Sequence, residues 1–461
     1  MSDRCFRYAR LADPADRFAE AEGPLEQLVP DQPAAFPQRP GALNALLGSA
    51  NSELSQTEDA FQVRVQTPDG AADAPVIVFL PGGGFLSGGG NTRWFSAPAW
   101  LQRSEAVLVT VTYRVGVWGH LGPTGQPQES QRGLRDVLCA LRWVRQHIGS
   151  FGGDPENITL AGDSAGAWYA YAAAILPETS GLYRRLALVS LPRENPLSPE
   201  AYAERRSWFC AELGGESRLA TASAEELLEV QGRMVRRWAG RGMPLMPASG
   251  GCVPPNLHRF SETAAGLRAE SLLLLTTSEE AAAFLYSAPE EAFSSESVAG
   301  FLTNRFTEAA RAGRLILDKR PGATPKQQVI EAMTLHQFHT AQLELAAAAS
   351  SQMPVYVLGL SAQSPLPGAF SPHCYPLPFL FGTAETWHDA PMLRHLPATE
   401  FQQLAAQMEQ MFVGFAVSGE PSVSAASPPV KPFDAAAPLR YEIDTGGVFA
   451  KTPPESGLSI V

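Results

Sequence analysis

The chain has 461 residues, 45% of them hydrophobic, which is enough to bury one large core or two modest ones. Its formal net charge of −12 offers no basic footprint for nucleic acid, and no stretch approaches the roughly 18 uninterrupted apolar residues that mark a membrane-spanning helix. Five scattered cysteines (Cys5, Cys139, Cys210, Cys252 and Cys374) with no C-x-x-C pair predict reduced thiols, and exclude a disulfide framework or a zinc site.

In chain order, Met1-Ser2-Asp3-Arg4-Cys5-Phe6-Arg7 has no apolar h-region, so a cytoplasmic protein without a secretory signal is expected. Residues 1–56, rich in Pro, Ala and acidic groups, read as an irregular covering segment. Phe61, Val63 and Val65 then alternate with Gln62, Arg64 and Gln66, as in a half-exposed strand. The apolar runs 76–80, 106–111 and 158–161 predict buried parallel strands. Between the last two, Leu134, Val137, Leu138, Leu141 and Val144 keep helical spacing over 134–148. Further buried strands are expected at 186–189, 272–275 and 355–358. The spans 198–270 and 289–349 read as helical insertions covering the sheet, and 424–438, dense in Ser, Ala and Pro, as a loop. There is no internal repeat and no linker, so the expectation is a single α/β domain over 1–461.

Two glycine motifs stand after predicted strands. Gly162-Asp163-Ser164-Ala165-Gly166 lies between the run 158–161 and an Ala-rich helical stretch, where G-x-S-x-G forms a nucleophile elbow. A serine hydroxyl is a poor nucleophile at its own pKa, so it must be presented clear of the sheet beside a base. The flanking positions must be small so that strand and helix can approach. Pro81-Gly82-Gly83-Gly84-Phe85 follows the run 76–80, where backbone N–H groups can be turned toward a tetrahedral oxyanion. It has neither the Gly-x-Gly-x-x-Gly register of a dinucleotide fold nor the Gly-Lys-Ser/Thr of a P-loop.

The stretch from Phe151-Gly152-Gly153-Asp154-Pro155 through Asn157 to Gly166 resembles the serine-site signature of type-B carboxylesterases, the family of bacterial and liver carboxylesterases and cholinesterases. Thr57-Glu58-Asp59-Ala60-Phe61 is similar to that family's "EDCL" signature, with Ala60 in place of cysteine. Val111-Thr112-Tyr113-Arg114-Val115-Gly116-Val117-Trp118-Gly119 resembles "NYRLGVFGF". Gly133-Leu134-Arg135-Asp136 also matches, and the resemblance runs from about 57 to about 450. It implies an α/β-hydrolase fold: a mostly parallel central sheet flanked by helices, with helical insertions covering the active site. Gly368-Ala369-Phe370-Ser371-Pro372-His373 followed by Leu377-Pro378-Phe379-Leu380-Phe381-Gly382 resembles the histidine loop, which makes His373 the implied base. Ser278-Glu279-Glu280, followed by Phe284, is similar to "GTNKDEGxxF" and puts the acid on Glu280, with Glu279 the alternative if the register slips. The order Ser164, Glu280, His373 is that of the fold.

The resemblance therefore implies a serine esterase with the triad Ser164, His373 and Glu280, oxyanion donors Gly83, Gly84 and Ala165, and no metal or organic cofactor. Phe85, Trp168, Phe370 and Phe379 are candidates to line the substrate pocket, and short-to-medium acyl esters are the expected small-molecule substrates. Monomer and homodimer both stay open. Pro81, Pro376, Leu275 and Ala281 depart from the family pattern, which touches turnover and substrate range without removing a reacting group. A hormone-sensitive-lipase-like esterase would have an Asp acid and a shorter chain. The same triad serves amide, carbamate or thioester bonds, and a non-catalytic binding protein on this fold would have lost the serine. His336 and His339 stand at helical spacing, but a metal pair there is disfavoured.

Overall fold

The apolar run at 76–80 is the fully buried end of a strand, Ala74–Leu80. In the computed structural model, which describes every residue except 97, 104, 105, 425, 426 and 428, this strand lies parallel to Val107–Thr112 on one side and Gly153–Asp163 on the other. Three of the six undescribed residues belong to the loop expected over 424–438, and that part of it lies outside the described residues. Gly153–Asp163 is longer than its apolar run because Asp154-Pro155-Glu156-Asn157, invisible to a hydrophobic pattern, extends it through a register shift between Gly153 and Ile158.

These strands belong to a compact unit made of Met1–Gly41, Ser49–Leu186 and Asn195–Ala269. Gln62–Thr67 pairs antiparallel with Val107–Thr112, and Ser2–Arg7 pairs antiparallel with Gln62–Thr67 in turn. Both findings correct the sequence expectation. The amino-terminal segment is not wholly irregular, since Ser2–Arg7 is a strand that buries Phe6 against Trp143 and Phe151. The glutamines of Gln62–Thr67 are not solvated either: Gln62 and Gln66 are buried. Burial is tolerated because each polar atom is satisfied. Gln62 Oε1 accepts from Asn91 Nδ2 and Ala34 N, its Nε2 donates to Asp31 Oδ2 and Gln32 O, and Gln66 Nε2 donates to Phe95 O.

Helix Arg132–His147 buries Leu134, Val137, Leu138, Leu141, Trp143 and Val144. Its Asp136 takes the fully buried Arg114 in a two-point grip, with Nε to Oδ2 at 2.9 Å and Nη2 to Oδ1 at 2.7 Å. Two motif fragments distant in sequence are thereby joined by a bidentate, charge-assisted pair. Helix Ala165–Ala174 is buried on every side, as its uniformly apolar composition requires. Within 198–270, helices Pro199–Leu213 and Ala224–Arg237 start at Ser198 and Ser223, whose side chains accept the backbone N–H of Ala201 and Glu226, the third residue of each helix.

Ala42–Gly48, Ala187–Glu194 and Glu270–Val461 form a second unit. Strands Ser271–Thr277, Val355–Leu360 and Arg440–Asp444 are parallel neighbours in that order, and Gly447–Lys451 returns antiparallel as a hairpin. Between the first two strands come helices Ser295–Arg305, Ala309–Lys319 and Pro325–Thr334, the π-helical turn Leu335–His339, and helix Thr340–Ala349. Such π turns are single-turn bulges found disproportionately at functional sites. This one brings His339 Nε2 to Thr277 O at 2.8 Å.

Candidate active site

Ser164 sits at the junction of Gly153–Asp163 and Ala165–Ala174 with φ 54° and ψ −124°. For a residue with a side chain this is a strained conformation costing on the order of 1–3 kcal/mol. The small neighbours have a direct steric reason. A Cβ at Gly162 would stand 2.5 Å from the Gly166 carbonyl carbon, and one at Gly166 would overlap Leu80 O. Trp168 N donates to Ser164 O at 2.9 Å, closing the first turn, while Ala165 N points from the positive end of the helix.

The glycine loop faces the same turn within this unit. Gly82 N donates to Asp163 Oδ1 at 2.8 Å, and a Cβ at Gly82 would lie 2.9 Å from Ser164 Cβ. Gly83 (φ 135°), Gly84 (φ 59°) and Phe85 (φ 64°) all adopt positive φ, and Tyr113 Oη bonds Pro81 O. The proline that departs from the family pattern thus contributes a carbonyl anchor. Leu86 N and Ser87 N both turn back onto Gly83 O. Among the described residues, the N–H groups of Gly83, Gly84 and Ala165 donate to nothing.

In the second unit, His373 and Glu280 are brought together. His373 Nδ1 is 2.6 Å from Glu280 Oε2, and His373 N donates to Glu280 O at 3.2 Å. Both side chains are buried, at 1% and 0% exposure. Of the two ring nitrogens it is Nδ1 that is turned to the carboxyl, at the short end of the hydrogen-bond range. The other carboxylate oxygen, Oε1, accepts from Ser190 Oγ and Thr277 N, each at 2.7 Å. His373 Nε2 is buried with no hydrogen-bond partner among the described residues. The rings of Phe284 and Phe338 stand 4.9 and 5.3 Å from the imidazole, and Phe284 is 44% exposed.

Glu279, the alternative acid, is engaged elsewhere. Its oxygens take Lys319 Nζ, Arg320 Nη2, Gln363 Nε2 and Ser371 N. Burial opposes its charge, but the Lys319 ammonium and these donors hold its carboxyl below the ordinary range. Partial desolvation opposes the charge of Lys319, whose side chain stays 40% exposed, yet Glu279 and Glu331 raise it above its ordinary value.

The proposed pocket aromatics divide. Phe85 (2% exposed) packs edge-on against Trp168, Tyr169 and His120; Trp168 and Phe379 are wholly buried, the latter between Tyr375 and Phe401. All three rings are closely packed and buried, as is His373 itself. Phe370 is partly exposed, at φ 56°, with Arg320 4.3 Å over its ring. Pro376 opens the short helix Pro376–Phe381, for which its fixed φ and missing N–H are suited. His336 packs edge-on against Phe301 and Phe306, and His339 bonds Thr277 O, so the two histidines face different partners. Ser190, Thr277, Phe338 and Asp163 are the site residues that sequence reasoning passed over. Only Asp163 carried a signal, by lying inside the elbow motif.

The model of the carboxylesterase family matches residues 7–456. The chain is similar to the probable N-octanoylanthranilate hydrolase of Rhodococcus erythropolis, 33% identical over 430 residues covering 90% of this chain and 88% of that protein. It is also similar to the para-nitrobenzyl esterase of Bacillus subtilis strain 168, 29% identical over 401 residues, covering 83% and 79%. Among solved structures, a PNB esterase aligns with a TM-score of 0.82 at 26% identity, covering 98% of this chain and 94% of that one. A Geobacillus stearothermophilus carboxylesterase shares the fold with a TM-score of 0.83 at 24% identity, covering 99% and 95%. The architecture is thus the α/β-hydrolase fold, a mostly parallel sheet flanked by helices. With its family signature spanning nearly the whole sequence, the chain belongs to the carboxylesterase family and is a carboxylesterase.

Proposed function

We propose that this carboxylesterase works through an acyl-enzyme, with Ser164 as nucleophile, His373 as general base and Glu280 as the acid that orients it. The observation that carries the reading is the buried Glu280–His373 pair. With Nδ1 held at 2.6 Å by a carboxylate, the tautomer leaves Nε2 as the lone-pair nitrogen, and that nitrogen has no other partner among the described residues. In the first half-reaction His373 takes the Ser164 proton as Oγ adds to the ester carbonyl. The N–H groups of Gly83, Gly84 and Ala165 hold the oxyanion, and the imidazolium returns the proton to the departing alcohol. Water then attacks the acyl-enzyme with His373 again as base, which releases the acid and restores Ser164. Glu280 supports the imidazolium in both steps without itself being protonated.

Short-to-medium acyl esters are the proposed substrates. A second reading, hydrolysis of an N-acyl bond by the same residues, is favoured by one relative: its name assigns it N-octanoylanthranilate. Turnover of a nitrophenyl ester series, and of N-octanoylanthranilate, by wild type and Ser164→Ala, with mass detection of a fluorophosphonate label, tests both. Ester turnover lost in Ser164→Ala, with the label on Ser164, supports the esterase. Faster turnover of the N-acyl compound than of any ester shifts the assignment to the amide. A label on another residue, or full turnover by Ser164→Ala, overturns the mechanism.

A further inference from the structure

The two consecutive glutamates of the acid loop hold different parts of the histidine loop. Glu280 binds the ring of His373, as described. Glu279, 3% exposed, binds the main chain two residues earlier: its Oε2 accepts Ser371 N at 3.2 Å, and its own N donates to Ser371 O at 3.1 Å. Gln363 Nε2 reaches the same Oε2 at 3.0 Å. The other oxygen, Oε1, takes Lys319 Nζ at 2.9 Å and Arg320 Nη2 at 3.3 Å. Lys319 also donates to Ser278 O at 2.9 Å, on the residue before Glu279. Ser371 is wholly buried, and its Oγ donates to Leu360 O, the same carbonyl that accepts Ser278 N.

All four groups that meet the Glu279 side chain are donors, two on each oxygen. Only a carboxylate, which accepts on both oxygens, satisfies them. The isosteric amide would turn an NH2 group against either the Lys319–Arg320 pair or the Ser371–Gln363 pair.

We propose that Glu279 is a positioning residue for the general base, fixing the Ser371–His373 backbone while Glu280 fixes the imidazole, with Lys319 and Arg320 as the counter-charge that keeps its carboxylate ionised. The proposal rests on His373 being the base. A base must be held within a fraction of an ångström of its productive place, and a displacement of about 1 Å can cost on the order of 100-fold in rate. Glu331 supplies the comparison. It binds the same two cations, Lys319 Nζ at 2.8 Å and Arg320 Nε at 3.2 Å, but no residue of 371–373 among the described residues.

The test measures kcat and KM on a nitrophenyl ester, melting temperature, and the low-field proton resonance of the His373–Glu280 hydrogen bond, in wild type, Glu279→Gln, Glu331→Gln and Gln363→Ala. The expected result is a fall in kcat of roughly 10- to 100-fold in Glu279→Gln with KM within about twofold, and a shifted or missing low-field resonance. Glu331→Gln loses melting temperature but keeps kcat within about twofold and keeps the resonance. Exposed Gln363 gives up one donor to Oε2, so Gln363→Ala folds as wild type with kcat lowered a few-fold; this arm decides the matter if Glu279→Gln does not fold. Equal kcat losses in Glu279→Gln and Glu331→Gln, or an unchanged kcat in Gln363→Ala together with an unfolded Glu279→Gln, would overturn the proposal. Near-wild-type turnover by His373→Ala would instead sink the base assignment beneath it.

Discussion

Asp163 and Gly82 are joined by a hydrogen bond of 2.8 Å from the glycine N–H to Oδ1, so the residue before the elbow serine also fastens the loop of three glycines. This bond consumes the first of the loop's N–H groups, and the two beyond it donate to nothing among the described residues. Elbow and loop are therefore set against each other by the Asp163 carboxyl.

Asp163→Ala should cost about 1.5–3 kcal/mol of stability, the range for a hydrogen bond to a charged group, and slow fluorophosphonate labelling of Ser164. Asp163→Asn keeps an acceptor for Gly82 and should recover most of both losses. Urea unfolding and labelling rates on the two variants check this; equal behaviour of Asn and Ala would rule it out.

Ser164→Ala and His373→Ala should each lower kcat on the order of a million-fold, as elsewhere when triads lose a reacting member. Glu280→Gln should cost roughly 10,000-fold for a different reason. Thr277 N can only donate, so the amide oxygen faces it and Ser190 Oγ, and its NH2 faces His373 Nδ1. The imidazole is then driven to the tautomer with its proton on Nε2, where it cannot act as a base. Single-turnover rates on the three variants separate the cases.

Gly166→Ala and Gly84→Ala should fail in opposite ways. A Cβ at 166 overlaps Leu80 O, so the protein should lose stability at or above the upper end of the roughly 1–3 kcal/mol that overpacking costs. A Cβ at 84 meets only Met243 Cε, at 3.6 Å, so that variant should fold, with positive φ as its main strain. If its N–H is an oxyanion donor, misalignment should lower kcat by about 100- to 1000-fold. Melting temperature and kcat measured together give the answer.

Acid should unfold the protein in two stages. Burial lowers His120 and His336 from 6.5 to about 4, so the unfolded chain takes up their protons first. Their contribution is complete above pH 6.5 and lost as pH falls toward 4, each worth about 3 kcal/mol. Glu455 follows: burial would raise its carboxyl, but Arg440 at 2.6 Å leads the groups that bring it from 4.5 down to about 2. That share is complete above pH 4.5 and lost toward pH 2. In urea midpoints taken from pH 7 to pH 2.5, His336→Leu should flatten the upper stage and Glu455→Gln only the lower.

Much of this was legible in the sequence because it is local. Gly162 is small because its Cβ would meet Gly166 four residues on, and the run 76–80 announces its strand by composition alone. Glu280 and His373 could be placed only through the family resemblance, since 93 residues separate them and no spacing rule links them. Ser190 and Thr277 were silent for the same reason: a serine after a buried strand looks like any other until its fold-mate is known. Gln62 and Gln66 misled because a polar side chain on a strand reads as solvated, whereas here partners as distant as Asn91 and Phe95 satisfy them inside the core.

The π turn at Leu335–His339 holds one residue more than an α turn would. Every side chain of Thr340–Ala349 is therefore rotated by about 100° from the face it would have shown had the helix simply continued. Which residues of that helix pack inward, Ala341, Leu345, Ala346 and Ala349 among them, is decided by a length and not by an identity. In a comparison of this chain with its relatives, a one-residue gap between 335 and 339 would consequently carry more information about the surroundings of His339 than any substitution in the same stretch.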